Sequence, residues 1–364
     1  MTHRIGRSRG WTLLLLLAAS SLSAQEASDR AVAARLMSRF DSIRTAFQIP
    51  GLAVVLLRDT VVLGARGFGL ANVEQGIPVT PETPFNIASV AKPIGAVVAL
   101  RLVEKGVLNL DRPMQSYQGF KEFCEDVLPS GGIFFSDYAC RDSTLTLRHV
   151  LSMQANGAPG SRFLYNPPSY SWASRPMAEM AETTFSELTA RLVFGPAGMT
   201  HSGRQNRRLP LRADLAAALA RPYHVDSTGR VVASAPPGPQ GDGAAGGVIA
   251  SAMDLARFDI ALTQGRLLSP QSLATMWTPG RSPTGATLPY GLGWFIAAPF
   301  GETLLWHTGL WEGAYSALYL KVPARHLTLI LLANSDALQW QTRFDEAAVE
   351  RSPFARALLD AFPR

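Results

Sequence analysis

With 364 residues, 47% of them hydrophobic and 17% charged, the chain has the make-up of a globular protein with a substantial core. Of its formal charge of +6, Arg4, Arg7 and Arg9 supply half, and no extended basic run or basic helix follows, which argues against nucleic acid as a partner. No apolar stretch beyond Ala24 is long enough to span a membrane.

The first elements read as a leader and a helix. Arg4, Arg7 and Arg9 form a basic start, Trp11 to Ala19 an apolar stretch and Ser20 to Ala24 a small-residue exit. Residues 1–24 therefore have the pattern of a secretory signal cleaved after Ala24, and the expected location is periplasmic or extracellular. Ser28 to Phe47 then shows helical spacing, with Val32, Leu36, Phe40, Ile43 and Phe47 on one face. Pro50-Gly51 stops it.

Leu52 to Leu57 and Val61 to Gly69 read as two strands joined by Arg58-Asp59. A turn-rich run, Thr80 to Pro84, leads into a helix from Ser89 to Lys105 that ends at Gly106. Ile94 to Leu100 is apolar on every side, the pattern of a buried helix.

Cys124 and Cys140 are the only cysteines. In an exported chain they are expected to form a disulfide, worth about 3 kcal/mol in loop-closure entropy. Without a histidine pair they do not make a zinc site.

Leu145 to Met153 and Ser174 to Phe194 are helical candidates, and Ala235 to Gly247, rich in Gly and Pro, is loop. Ser251 to Leu262 and Ser269 to Trp277 follow as short helices. Strands are expected at Gly291 to Ile296, Thr303 to His307, Ala314 to Leu320 and His326 to Leu332, with a last helix inside Trp340 to Phe362. Strands at both ends with helices between predict an α+β fold with one antiparallel sheet built from both termini. The sheet lobe would comprise about 25–88 and 285–364 and the helical lobe about 89–284, with a cleft between them.

The chemistry begins at Ser89-Val90-Ala91-Lys92. Three residues apart on a helix, the amine can reach the hydroxyl. Lysine is scarce (Lys92, Lys105, Lys121 and Lys321), and only Lys92 has a serine three residues before it. Such a pair is one way to make an alcohol a nucleophile. A capping role for Ser89 or a core role for Tyr165 is the plainer alternative. A triad through His149, His201 or His224 lacks a Gly-x-Ser-x-Gly elbow.

Three segments occur in order: Ser89 with Lys92; Phe163-Leu164-Tyr165-Asn166 followed by Tyr170; and Trp306-His307-Thr308-Gly309. With Phe85-Asn86-Ile87-Ala88, Ala245-Gly246-Gly247, Tyr290-Gly291-Leu292-Gly293-Trp294 and Leu331-Leu332-Ala333-Asn334-Ser335, they resemble the class C β-lactamase-like serine hydrolases over nearly the whole chain after Ala24. That superfamily includes D-alanyl-D-alanine carboxypeptidases, D-aminopeptidases and carboxylesterases.

The resemblance implies the β-lactamase/transpeptidase fold and an acyl-enzyme on Ser89, with Lys92 and Tyr165 as the proton-handling groups. It also implies an oxyanion hole from the backbone amides of Ser89 and Leu310, and substrate contacts at His307, Thr308, Gly309 and Asn166. Gly309 is expected to be glycine so that substrate can lie against its strand. No metal or organic cofactor is implied.

Two positions depart from the penicillin-recognising pattern. Pro167 stands where Tyr-x-Asn would place its Asn, and His307 stands where most β-lactamases carry lysine. Proline has no polar side chain or N–H, and histidine is mostly neutral at pH 7. Both lean toward a small carboxylic ester as substrate. The alternatives are a D-alanyl-D-alanine carboxypeptidase, D-aminopeptidase or weak β-lactamase, or a non-catalytic binder of peptide or acyl ligands. The segment Phe120 to Ser143, which holds both cysteines, reads as an insertion near the cleft.

Overall fold

The computed structural model describes residues 9–339 and 348–363. Its centre is a seven-stranded antiparallel sheet whose strands come from both ends of the chain. In chain order the strands are β1 (Gly51–Arg58), β2 (Val61–Asn72), β3 (Ile77–Pro78), β4 (Pro84–Asn86), β5 (Gly203–Arg204), β6 (Tyr223–Val225), β7 (Val231–Ala233), β8 (Val248–Ser251), β9 (Phe295–Ala297), β10 (Leu304–Trp311), β11 (Tyr315–Val322) and β12 (Leu327–Ala333). The sheet order is β3-β2-β1-β12-β11-β10-β9, so β1 pairs with β12 and joins the two ends.

β1, β11 and β12 are buried without alternation because helices cover both faces of the sheet. Register assigns the faces. The row Thr308, Leu318, Leu331 and Val54 lies on one side. There Thr308, Leu318 and Leu331 share a small cavity with Phe354 of the C-terminal helix Pro353–Ala361. Phe354 in turn packs 5.7 Å from Phe40 of the N-terminal helix. The row His307, Tyr319, Ile330 and Val55 lies on the opposite side. Here the Tyr319 hydroxyl donates to Asp259 of the helix Ala252–Thr263.

The N-terminal helix runs from Arg9 to Ala46, longer than its expected Ser28 start. Ala33, Leu36, Met37 and Phe40 form its buried stripe, while Val32, Ile43 and Phe47 pack at its edge. The helix expected from Ser89 is a 3-10 turn, Ala88–Val90, continuing into Ala91–Glu104. It is buried almost all round, and Gly106 follows its end at φ +69°.

Several elements differ from the periodicity. Leu145 to Met153 is helical only over Leu147–Leu151, and Met153 has φ +58°. Ser174 to Phe194 breaks at Glu182 (φ +50°), where the Thr184–Glu187 capping box starts a new helix. Gly291 to Trp294 is a tight turn rather than strand, closed by Gly291 N–H donating to the Trp294 carbonyl at 2.8 Å. Its glycines are set by close packing: a Cβ on Gly293 would lie 2.7 Å from the Lys92 carbonyl oxygen. The small sheet β4-β8-β5 and the β6-β7 hairpin have strands of two to four residues, too short to show a period. Of the expected final segment, residues 340–347 lie outside the described residues and Pro353–Ala361 is helical.

Candidate active site

Ser89 sits in the 3-10 turn and is partly exposed. The residue before it, Ala88, has φ +46°, a left-handed conformation that costs a non-glycine residue roughly 1–2 kcal/mol. It is held there by Asn86, whose Oδ1 accepts from the Ala88 N–H at 3.0 Å and from Trp311 Nε1 at 3.1 Å. One amide oxygen thus ties the strained turn to the end of β10.

Lys92 is fully buried, one turn along from Ser89. Its Nζ lies 2.7 Å from Ser89 Oγ and 3.3 Å from the Ala245 carbonyl oxygen. Among the described residues no carboxylate pairs with it. Burial alone therefore pushes its pKa well below that of an ordinary lysine, which favours the neutral amine. Ala245 is held by Arg204, a buried arginine that donates to the carbonyls of Gly246 at 3.1 Å and Gly243 at 2.8 Å and pairs with Asp242 at 3.3 Å.

Tyr165 packs beside this pair, with Lys92 Nζ 5.0 Å from its ring centroid. Burial raises the phenol's pKa above the usual tyrosine value, partly offset by its hydrogen bond with Ser89, so it stays protonated at neutral pH. Its segment is anchored by the disulfide-bearing insertion. Cys124 and Cys140 are bonded, with Cα atoms 5.7 Å apart. Inside that loop the Phe134 carbonyl accepts from Asn166 Nδ2 at 2.8 Å and Asn156 Nδ2 at 2.9 Å. The Tyr138 hydroxyl lies 2.7 Å from Ser169 Oγ.

Asn166 does not fit the substrate-contacting place expected for it. It is buried, its Oδ1 accepts from the Ser169 N–H, and its Nδ2 is shared between Phe134 and Asn156. The reason is Pro167: it opens the helix Pro167–Trp172, and Asn166 becomes the N-cap.

β10 supplies the opposite wall. His307 is fully buried; its Nδ1 lies 2.7 Å from the Thr308 carbonyl and its Nε2 2.8 Å from the Tyr290 hydroxyl. A carbonyl only accepts, so Nδ1 carries the hydrogen and Tyr290 donates to Nε2. Burial, and secondarily the nearby Lys92, push the imidazole pKa well below its ordinary value. His307 is neutral, and both its nitrogens are engaged within the protein.

Thr308, by strand alternation, points to the other face of the sheet and is not brought to Ser89 and Lys92. Gly309 is on the Ser89 side, and its reason for being glycine differs from the expected one. A Cβ there would lie 2.2 Å from the Ile87 carbonyl oxygen. The strand needs glycine to approach the backbone that carries Ser89. β9 pairs with β10 only as far as Trp306, so one edge of the strand from His307 onward lacks a strand partner among the described residues. Leu310 lies on that stretch.

Asn86, Asn156, Arg204 and Tyr290 are the supporting residues that sequence reasoning did not assign. Asn86 and Tyr290 lay inside the quoted motifs; Asn156 and Arg204 left no local signal. Away from this site Glu82, His201 and Asp254 cluster, but Arg257 already bridges the two carboxylates at 2.7 and 2.5 Å.

A serine and a desolvated amine in contact, between an antiparallel sheet and a helical layer, define a serine hydrolase of the β-lactamase/transpeptidase fold. Comparison with known proteins agrees. The Beta-lactamase family model matches residues 34–351, and the chain belongs to that family. It is 26% identical over 343 residues to Penicillin-binding protein 4* of Bacillus subtilis (strain 168), covering 86% of this chain and 74% of that protein. It is 41% identical over 83 residues to Esterase EstB of Burkholderia gladioli, covering 23% of this chain and 21% of that protein. The crystal structure of a class C beta lactamase from Rhodobacter sphaeroides aligns with a TM-score of 0.63 at 20% identity, over 90% of this chain and 97% of that one.

Proposed function

We propose that the chain is an exported hydrolase that cleaves small carboxylic esters through an acyl-enzyme on Ser89. The observation that carries this reading is the 2.7 Å contact between Ser89 Oγ and a fully buried Lys92 with no carboxylate partner among the described residues. A neutral amine at that distance can take the serine proton as Oγ attacks the carbonyl carbon. The tetrahedral oxyanion would be met by the N–H groups of Ser89 and Leu310, on the turn and strand that Gly309 lets approach each other. Tyr165, protonated and hydrogen-bonded to Ser89, passes a proton to the departing alkoxide. Water then attacks the acyl carbonyl, the same groups work in reverse, and Ser89 is regenerated.

The preference for esters rests on what surrounds the pair. His307 offers no positive charge to a substrate carboxylate beside Tyr165, and Asn166 is engaged by its own loop. Both features disfavour an acylamino acid such as a penicillin. Export rests on the basic and apolar pattern of residues 1–24 and on the Cys124–Cys140 disulfide, which persists in oxidising compartments. Among the described residues no helix is long and apolar enough to cross a membrane.

The test is intact-mass spectrometry after exposure to a fluorophosphonate, a short-chain aryl ester and a penicillin. Covalent labelling of Ser89 by the fluorophosphonate, and ester turnover lost in Ser89→Ala, are expected. A long-lived penicilloyl adduct would move the reading to a D-alanyl-D-alanine carboxypeptidase. An unlabelled Ser89 would leave a binding protein.

A further inference from the structure

Beyond Asn86 and Trp311 a cavity of about 510 Å³ opens, lined by Asn86, Gln205, Arg207, Arg208, Ile249 and Tyr315 among others. A smaller space shares Asn86, Gln205 and Ile249 with it and adds Gly247 and Trp311. It therefore reaches the loop whose Ala245 carbonyl faces Lys92. Among the described residues no carboxylate lines either space. Arg207 and Arg208 are exposed, and among the described residues their guanidinium groups form no ion pair. Arg204, shortly before them, is by contrast buried against Asp242. The cavity thus presents two uncompensated guanidinium groups, which match a carboxylate in shape and charge.

Its position relative to Ser89 limits what it can hold. Asn86 is three residues from Ser89, so their Cα atoms are at most about 11 Å apart. Along β10 the cavity and Tyr165 lie toward different ends. His307 packs on Tyr165, and Trp311 borders the smaller space that adjoins the cavity. Four residues of strand, about 13 Å, separate them. A leaving group protonated by Tyr165 departs at the His307 end, so the acyl chain runs toward Trp311.

We propose that this cavity binds the free carboxylate of a dicarboxylic acid hemi-ester, the acid being carried on the acyl chain and held by Arg207 and Arg208. The proposal rests on the ester reading above and names its substrate class. The positive charge missing at His307 is supplied at the other end of the cleft, which selects long anionic acyl groups over the compact acids of the penicillin pattern.

The test compares aryl hemi-esters of succinate, glutarate, adipate and pimelate with the neutral aryl butyrate and with the butyrate ester of a hydroxybenzoic acid, which places the acid on the leaving group. The wild type is expected to prefer a hemi-ester over the neutral ester by about 10- to 100-fold in kcat/KM, the preference falling with added salt. In Arg207→Gln/Arg208→Gln that preference should vanish through KM, with the neutral ester changed less than about twofold. Turnover of the neutral ester without preference for any hemi-ester overturns the arginine assignment and leaves the ester reading standing. An arginine effect confined to the hydroxybenzoate ester overturns the acyl-side placement. A wild type that turns over none of these esters overturns both readings.

Discussion

Gly309→Ala separates two reasons for the same glycine. If the glycine only clears a path for substrate, a methyl group there should penalise bulky substrates and spare small ones. The geometry points elsewhere. The added Cβ would sit 2.2 Å from the Ile87 carbonyl oxygen, 0.8 Å inside the 3.0 Å that real Cβ contacts keep. Both partners are backbone, one in the sheet and one in the turn carrying Ser89, so neither can swing aside. The strand and the turn must separate by close to an ångström, and with them the N–H groups of Leu310 and Ser89. A displacement of that size at a reacting centre costs about 10²-fold. Overpacking of a rigid site costs about 1–3 kcal/mol of stability. We expect Gly309→Ala to lose about 10²-fold in kcat/KM on every ester tested, chiefly in kcat, while Tm falls by only a few degrees. Steady-state kinetics on short and bulky aryl esters, with thermal melts of both proteins, measure this. Near wild-type kcat on the short ester would refute the reasoning and restore the substrate-clearance account.

In the proposed mechanism Lys92 must be neutral to accept the serine proton, so kcat/KM should rise with pH as it deprotonates. Burial lowers its pKa, so the rising limb should lie well below 10.5, and a pH–rate profile checks it. The same profile should show no inflection from His307 near 6.5, since burial holds that imidazole neutral. Tyr290→Phe removes the donor to His307 Nε2 and leaves a buried acceptor unpaired, an expected loss of about 1–3 kcal/mol in urea unfolding. Cys124→Ser/Cys140→Ser should lose about 3 kcal/mol of stability. Its kcat should fall as well, because the loop it frees carries the Phe134 carbonyl that anchors Asn166 beside Tyr165. Ester kinetics below the melting range of the variant test that second effect.

Much of the architecture was legible because it is periodic or chemically singular. Apolar strands near both termini gave away the joined sheet, and the scarce lysine three residues after Ser89 marked the pair now found in contact. What periodicity misread were places where another backbone presses close. Gly291 to Trp294 alternates like a strand but folds as a turn because Gly293 packs on the Lys92 carbonyl.

The side-chain assignments divide along the same line. By itself the sequence determined which groups meet near Ser89, since helical spacing brings Lys92 to it and two motifs carry Tyr165 and His307. Only the tertiary structure decided what those groups can do. Desolvation by distant segments favours the neutral amine of Lys92 and keeps His307 neutral, and strand register turns Thr308 away. A loop closed by Cys124 and Cys140 engages Asn166. Protonation and orientation depend on what surrounds a group in space, and those neighbours lie tens to hundreds of residues away along the chain.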